Sequence, residues 1–151
     1  MYYTIADIKK LTCLSERTLR NYIKNGILSG EKVSGRWRFS AENVNAFFNN
    51  NDVISSMRIK AHNKYISFIT GEEMKTHPES RLLIIGSFAD YEDFSPIEGL
   101  DIILNSVAKN DFDYFRIVDG NRPISVFSGK AADLMEVLTK LTDYYKDKKK
   151  D

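Results

Sequence analysis

The sequence predicts an α+β chain in two parts. Residues 1–50 read as two short helices, a β-hairpin and a third helix, and residues 51–151 read as α-β-α-β-β-α with a three-stranded sheet. Three patterns carry this. Apolar residues recur at helical spacing in several separate stretches. Two β-rich stretches, EKVSGRWRF and DYFRIVDGNRPISVF, each surround a turn signal containing glycine. One short run, RLLIIGSF, is almost wholly apolar. With 42% hydrophobic and 28% charged residues among 151, the composition is that of a folded protein. No apolar run approaches the ~20 residues that span a bilayer, and MYYTIADIKK has no secretory pattern. The single Cys13 cannot form an internal disulfide. A cytoplasmic protein without membrane contact is expected.

Thr4 is placed to cap the first helix, with Asp7 adding favourable charge to its first turn. Ile5, Ile8 and Leu11 form its apolar stripe, and Thr12-Cys13-Leu14 breaks the pattern. Ser15 then caps a second helix, ERTLRNYIKN, which Gly26 stops. Leu19, Tyr22 and Ile23 take one side of that helix; Glu16, Arg17, Arg20, Asn21 and Lys24 take the other. In the hairpin around Ser34-Gly35, alternation puts Trp37 and Phe39 on one face and Arg36 and Arg38 on the opposite one. Ser40 caps the third helix, whose Val44, Phe47 and Phe48 complete a small core.

Two arginines, an asparagine and a lysine along one exposed helical stripe have the chemistry to read a duplex. Arginine grips guanine and asparagine grips adenine bidentately, while lysine suits phosphate. The helix N-terminus at Ser15 adds amides that can hold a phosphate. Glu16 opposes this unless it accepts from a cytosine amine, and it also stabilises the helix start. Helix-turn-helix, hairpin and helix in that order make a winged helix-turn-helix. YTIADIKKLTCLSERTLRNYIKNGIL followed by GRWRFSAENVNAFF resembles the DNA-binding domain of the MerR and excisionase-type regulators, over about a third of the chain. The resemblance implies that Arg17, Thr18, Arg20 and Asn21 face the major groove. It also implies that Arg36 at the wing tip reaches a phosphate or the adjacent minor groove, and Arg38 a phosphate. Ser15, Lys24 and Lys32 complete the expected DNA-binding set. Trp37 is expected to be structural; for Tyr22, a hydroxyl on phosphate and a place in the core both stand.

In the second part, Asn49 to Asp52 reads as a short linker with Asp52 as a cap. Val53, Met57, Ala61, Tyr65 and Phe68/Ile69 form a four-residue rhythm on a helix ending near Gly71. Glu72 to Ser80 reads as a connection, RLLIIGSF as a buried strand, and Asp90 to Ser95 as an acidic loop. A helix is expected from Pro96 to Val107. A hairpin should turn at Asp119-Gly120-Asn121, with Pro123 at an edge or at the start of a strand. A last helix is expected from Ala131 to Tyr145, before a frayed KDKKKD tail.

Residues 1–50 hold eight Lys/Arg against four Asp/Glu, a net +4, so the remainder carries fourteen bases, seventeen acids and a net −3. One end of the chain is therefore suited to a polyanion. His62, His77 and the distant Cys13 offer too few ligands for zinc. Gly86 and Gly99 stand alone, so no phosphate loop is read. Asp90, Glu92 and Asp93 lack the regular spacing of a calcium loop. Ser87 lacks the surroundings of a recombinase nucleophile. No enzyme activity, metal or cofactor is expected.

The expectation is a DNA-binding domain over 1–50 and a dimerisation or effector domain over 51–151. The protein reads as a transcriptional regulator, or alternatively as an excisionase-like architectural protein. Its expected partner is double-stranded DNA. A homodimer through the helix at Val53–Ile69 and the C-terminal part would supply the two half-sites that genomic discrimination requires. The acidic part is also a candidate to sense an unidentified small-molecule or protein effector.

Overall fold

The computed structural model describes residues 2–87, 99–119 and 122–149. Strand β1 (Tyr2–Tyr3) is followed by helices α1 (Ile5–Thr12) and α2 (Glu16–Lys24), hairpin strands β2 (Glu31–Val33) and β3 (Arg36–Ser40), and helix α3 (Ala41–Phe48). The caps follow local chemistry. Thr4 Oγ1 accepts from the Asp7 amide at 3.2 Å, and Asp7 Oδ2 accepts from the Thr4 amide at 2.9 Å, a reciprocal capping box. Ser40 and Asn43 repeat it ahead of α3. Strand β1 was not anticipated. It pairs with β3 opposite Ser40 and Phe39, so β3 is the centre of a three-stranded sheet, β1-β3-β2.

The second part contains α4 (Asn51–Ile69), α5 (Glu72–Lys75), β4 (Arg81–Ser87), α6 (Leu100–Lys109), β5 (Phe112–Asp119), β6 (Arg122–Lys130) and α7 (Ala131–Lys149). Its sheet is antiparallel, in the order β4-β6-β5. The α-β-α-β-β-α order and three-stranded sheet are as expected, with α5 as an extra turn. Among the described residues, no helix is long and apolar enough to cross a membrane.

Several details differ from the sequence reading. Asn50, not Asp52, caps α4, its side chain accepting from the Asp52 and Val53 amides, so the linker shrinks to Asn49 and Asn50. Arg81–Ser87, the described part of the RLLIIGSF run, is an edge strand with Ile85 exposed, because β6 pairs on both sides and takes the centre. Pro123 stands at the start of β6, where only β5 is opposite; β4 reaches no further than Ile124. Helix α6 opens at Leu100, with Gly99 at φ 80° in the left-handed region just before it. Helix α7 continues to Lys149, past the expected end at Tyr145. Cations in a last turn suit the helix dipole, and Lys148 lies 5.7 Å from the centre of the Tyr144 ring. Pro96, the acidic cluster Asp90, Glu92 and Asp93, and the turn residues Gly120 and Asn121 lie outside the described residues.

One apolar cluster joins the two parts, from Ile8, Leu11, Phe39 and Phe47 to Phe115, Val126 and Val137. Backbone chemistry helps explain the junction. The Lys130 amide donates to the Asp111 carbonyl at 3.2 Å, so alternation along the antiparallel ladder turns the Tyr114 carbonyl away from β6. The Cys13 thiol donates to that carbonyl at 3.2 Å. The C-terminal end of α1 thus satisfies a backbone group on the open edge of β5.

Candidate nucleic-acid interface

The turn between α1 and α2 is built by side chains. Thr12, fully buried, donates its hydroxyl to the Ile8 carbonyl at 2.7 Å and accepts from the Leu14 amide at 3.2 Å. Cys13 then takes a left-handed conformation, φ 54°, where glycine is the usual choice. Burial, the largest influence, and the neighbouring Asp113 push its thiol up to about 11, against Lys60 and Lys64. The neutral thiol is the form that can donate to Tyr114.

Ser15 caps α2, accepting from the Thr18 amide at 3.1 Å. That leaves the amides of Glu16 and Arg17 without an acceptor inside the helix. Leu19 is fully buried beneath, while Arg17, Arg20, Asn21 and Lys24 are exposed along the outer side. Thr18 is less open than that stripe. It is half-buried, with its hydroxyl 2.9 Å from Ser15 Oγ, and so belongs to the cap. Arg20 is held by Glu16: Nε and Nη2 both donate to Oε1, at 3.1 and 2.7 Å. Among the described residues, no ion pair engages Arg17, Lys24, Arg36 or Arg38.

Tyr22 points inward. Its ring meets Phe47 edge-on at 5.6 Å, and its hydroxyl lies 3.1 Å from Ser56 Oγ on α4. Of the two roles open to it from sequence, the core role is the one occupied.

In the wing, Ser34 and Gly35 both have positive φ, 51° and 79°, as a two-residue hairpin turn requires. Phe39 is fully buried and Trp37, half-buried, stacks on it with centroids 6.3 Å apart. Arg36 and Arg38 are exposed on the opposite face. Lys32 is separated from them: it pairs with Trp37 across the ladder and sets its ammonium 5.7 Å from the indole centre. Arg38 lies 5.9 Å over the exposed Tyr2 ring, which makes Tyr2 an unanticipated member of the outward face. Gly30 was also missed. A Cβ there would sit 2.5 Å from Phe39 Cδ1 and 2.6 Å from the Arg38 carbonyl oxygen. The bare backbone lets the strand close over Phe39.

Helix α2 thus presents a basic edge and the wing an arginine-bearing face, both open to solvent. Residues 2–52 match the model of a family described as "Helix-turn-helix domain". No curated protein and no solved structure matches the chain.

Proposed function

From a helix-turn-helix DNA-binding domain over residues 2–52, we propose that the protein is a sequence-specific regulator of transcription of the MerR-like type, acting in the cytoplasm by binding and not by catalysis. The exposed stripe Arg17, Arg20, Asn21 and Lys24 carries this reading, because those side chains match base edges and phosphates along one groove. Arg36 and Arg38 on the wing hold the flanking backbone.

The regulator acts as a homodimer through the later part of α4, because only the end of the four-residue rhythm in the sequence is exposed. Val53 and Met57 are fully buried in the chain's own core. The exposed apolar residues of α4 are Ile59, Tyr65, Ile66 and Ile69, spaced as on one helix side.

Selection of bound fragments from a genomic DNA pool tests the proposal. An enriched inverted repeat, with affinity falling steeply as salt rises, is the expected result. Binding without preference over random DNA removes it. A single asymmetric site that is sharply bent on binding points instead to the excisionase-like architectural role.

A further inference from the structure

A groove of about 500 Å³ lies where α1, α4, α6 and β5 meet. Three lysines line it, Lys9 and Lys10 from α1 and Lys60 from α4, whose ammonium lies 5.9 Å from the centre of the Phe115 ring, against one acidic residue, Asp113. Among the described residues, none of the three lysines forms an ion pair. Its remaining wall is apolar, with Leu14, Val107 and Phe112 contributing.

We propose that this groove binds a small organic anion with an apolar, preferably aromatic, body. The two halves of the lining ask for different things. Three cations against one acid create a positive field that an anionic head group answers. Leu14 and Val107, both partly exposed, are covered further by a ligand with hydrocarbon surface. A duplex backbone would satisfy the lysines and leave the apolar wall wet, so the small molecule is the better occupant. The volume falls within the range of small-molecule sites. Leu14 directly precedes Ser15, the cap of α2, so the occupant abuts the turn that positions this helix. Any effect of the occupant on DNA affinity rests on the regulatory reading above; binding itself does not.

The test uses 8-anilinonaphthalene-1-sulfonate, a fluorescent aromatic sulfonate, with the full chain. Saturable one-site binding is expected, with a dissociation constant on the order of 10–100 µM for a ligand of this size. Amide resonances of Cys13, Leu14 and Tyr114 should shift on titration. The double variant Lys10→Gln/Lys60→Gln should weaken binding about tenfold while leaving the thermal midpoint unchanged. N-phenyl-1-naphthylamine, which lacks the sulfonate, should bind the unmodified chain about tenfold more weakly, a comparison needing no variant. The proposal is overturned if the probe shifts residues elsewhere, such as Ile66 and Ile69, or if neither lysine replacement nor loss of the sulfonate matters. It is equally overturned if the double variant binds the probe normally but loses affinity for random duplex DNA, which would make the groove a backbone track.

Discussion

Replacing Arg20 by alanine separates base reading from general attraction to DNA, and its Glu16 partner fixes how large the effect should be. In the free protein Arg20 Nε and Nη2 share Glu16 Oε1. Both side chains are about half exposed, at 56% and 50%. An exposed i,i+4 pair of this kind contributes about 0.3–0.5 kcal/mol. Releasing Arg20 to a base therefore costs about twofold in affinity, whereas a bidentate arginine–guanine contact discriminates by about 1–3 kcal/mol. The contact wins, and Glu16 orients the guanidinium without locking it. Arg20→Ala should thus weaken binding to the selected DNA roughly 5- to 150-fold and to random DNA far less. Glu16→Gln should tighten binding to both by about twofold. Fluorescence anisotropy on the two duplexes at fixed salt reads both numbers. Equal losses on both duplexes for Arg20→Ala would remove the groove assignment, and a gain above tenfold for Glu16→Gln would show that the ion pair is a lock.

Three further outcomes are expected. Gly30→Ala should destabilise the wing by about 1–3 kcal/mol, because the new methyl meets the Phe39 ring and the Arg38 carbonyl; an unchanged thermal midpoint contradicts this. With its thiol at about 11 instead of 9, Cys13 should carry about a hundredfold less thiolate and react correspondingly slowly with iodoacetamide at pH 8; its contribution to stability is complete below pH 9 and is lost as the pH rises through 11, so a native chain alkylated as fast as the unfolded one refutes the burial. Burial alone would raise the Glu73 carboxyl, but Lys64 and Arg81 outweigh it and hold it below the ordinary carboxylate range, so its contribution is present above pH 4.5 and lost as the pH falls below that; Glu73→Gln should cost about 1–3 kcal/mol at neutral pH in urea denaturation, with Arg81 keeping only Glu79, and should flatten the acid limb.

What could be read from the sequence was chemistry that acts over a few residues. Thr4, Ser15 and Ser40 announce helix starts because each cap is settled within three positions. The Ser34-Gly35 turn and the alternation of Trp37 and Phe39 against Arg36 and Arg38 are equally local. Strand β1 was illegible: two residues hold no period, and only pairing with β3 makes them a strand. The apolar run of β4 suggested burial on both faces, yet strand order depends on residues forty positions away, and β6 took the centre. Within the candidate interface, spacing gave the outer stripe of α2 but not the removal of Thr18 to the cap, nor the placing of Lys32 on the Trp37 face. Gly30 carried no signal, since its φ is ordinary and only the approach of Phe39 requires it.

The contacts of α2 with Ser56 and the core lie on its inner side. Tyr22 joins α2 to Ser56, and Cys13, two residues ahead of Ser15, joins the preceding turn to the edge of β5. Each is a single hydrogen bond of about 1 kcal/mol, too little to hold an element alone. They act alongside Leu19 and Phe47, which are fully buried and set the helix depth; the Tyr22 bond, made by α2 itself, opposes its rotation. Rotation is the quantity a groove-reading helix cannot leave loose, because a turn of one residue position, about 100°, would carry Arg17 and Asn21 off the outer side. The same helix that supplies Ser56 exposes Ile59 to Ile69, so on the proposed reading the pairing face starts within one turn of the residue that orients α2. From Ser56 to Ile69 the helix rises about 20 Å. A second copy seated along that length would set the separation of two reading helices through a rigid rod, with no loop in between to vary it.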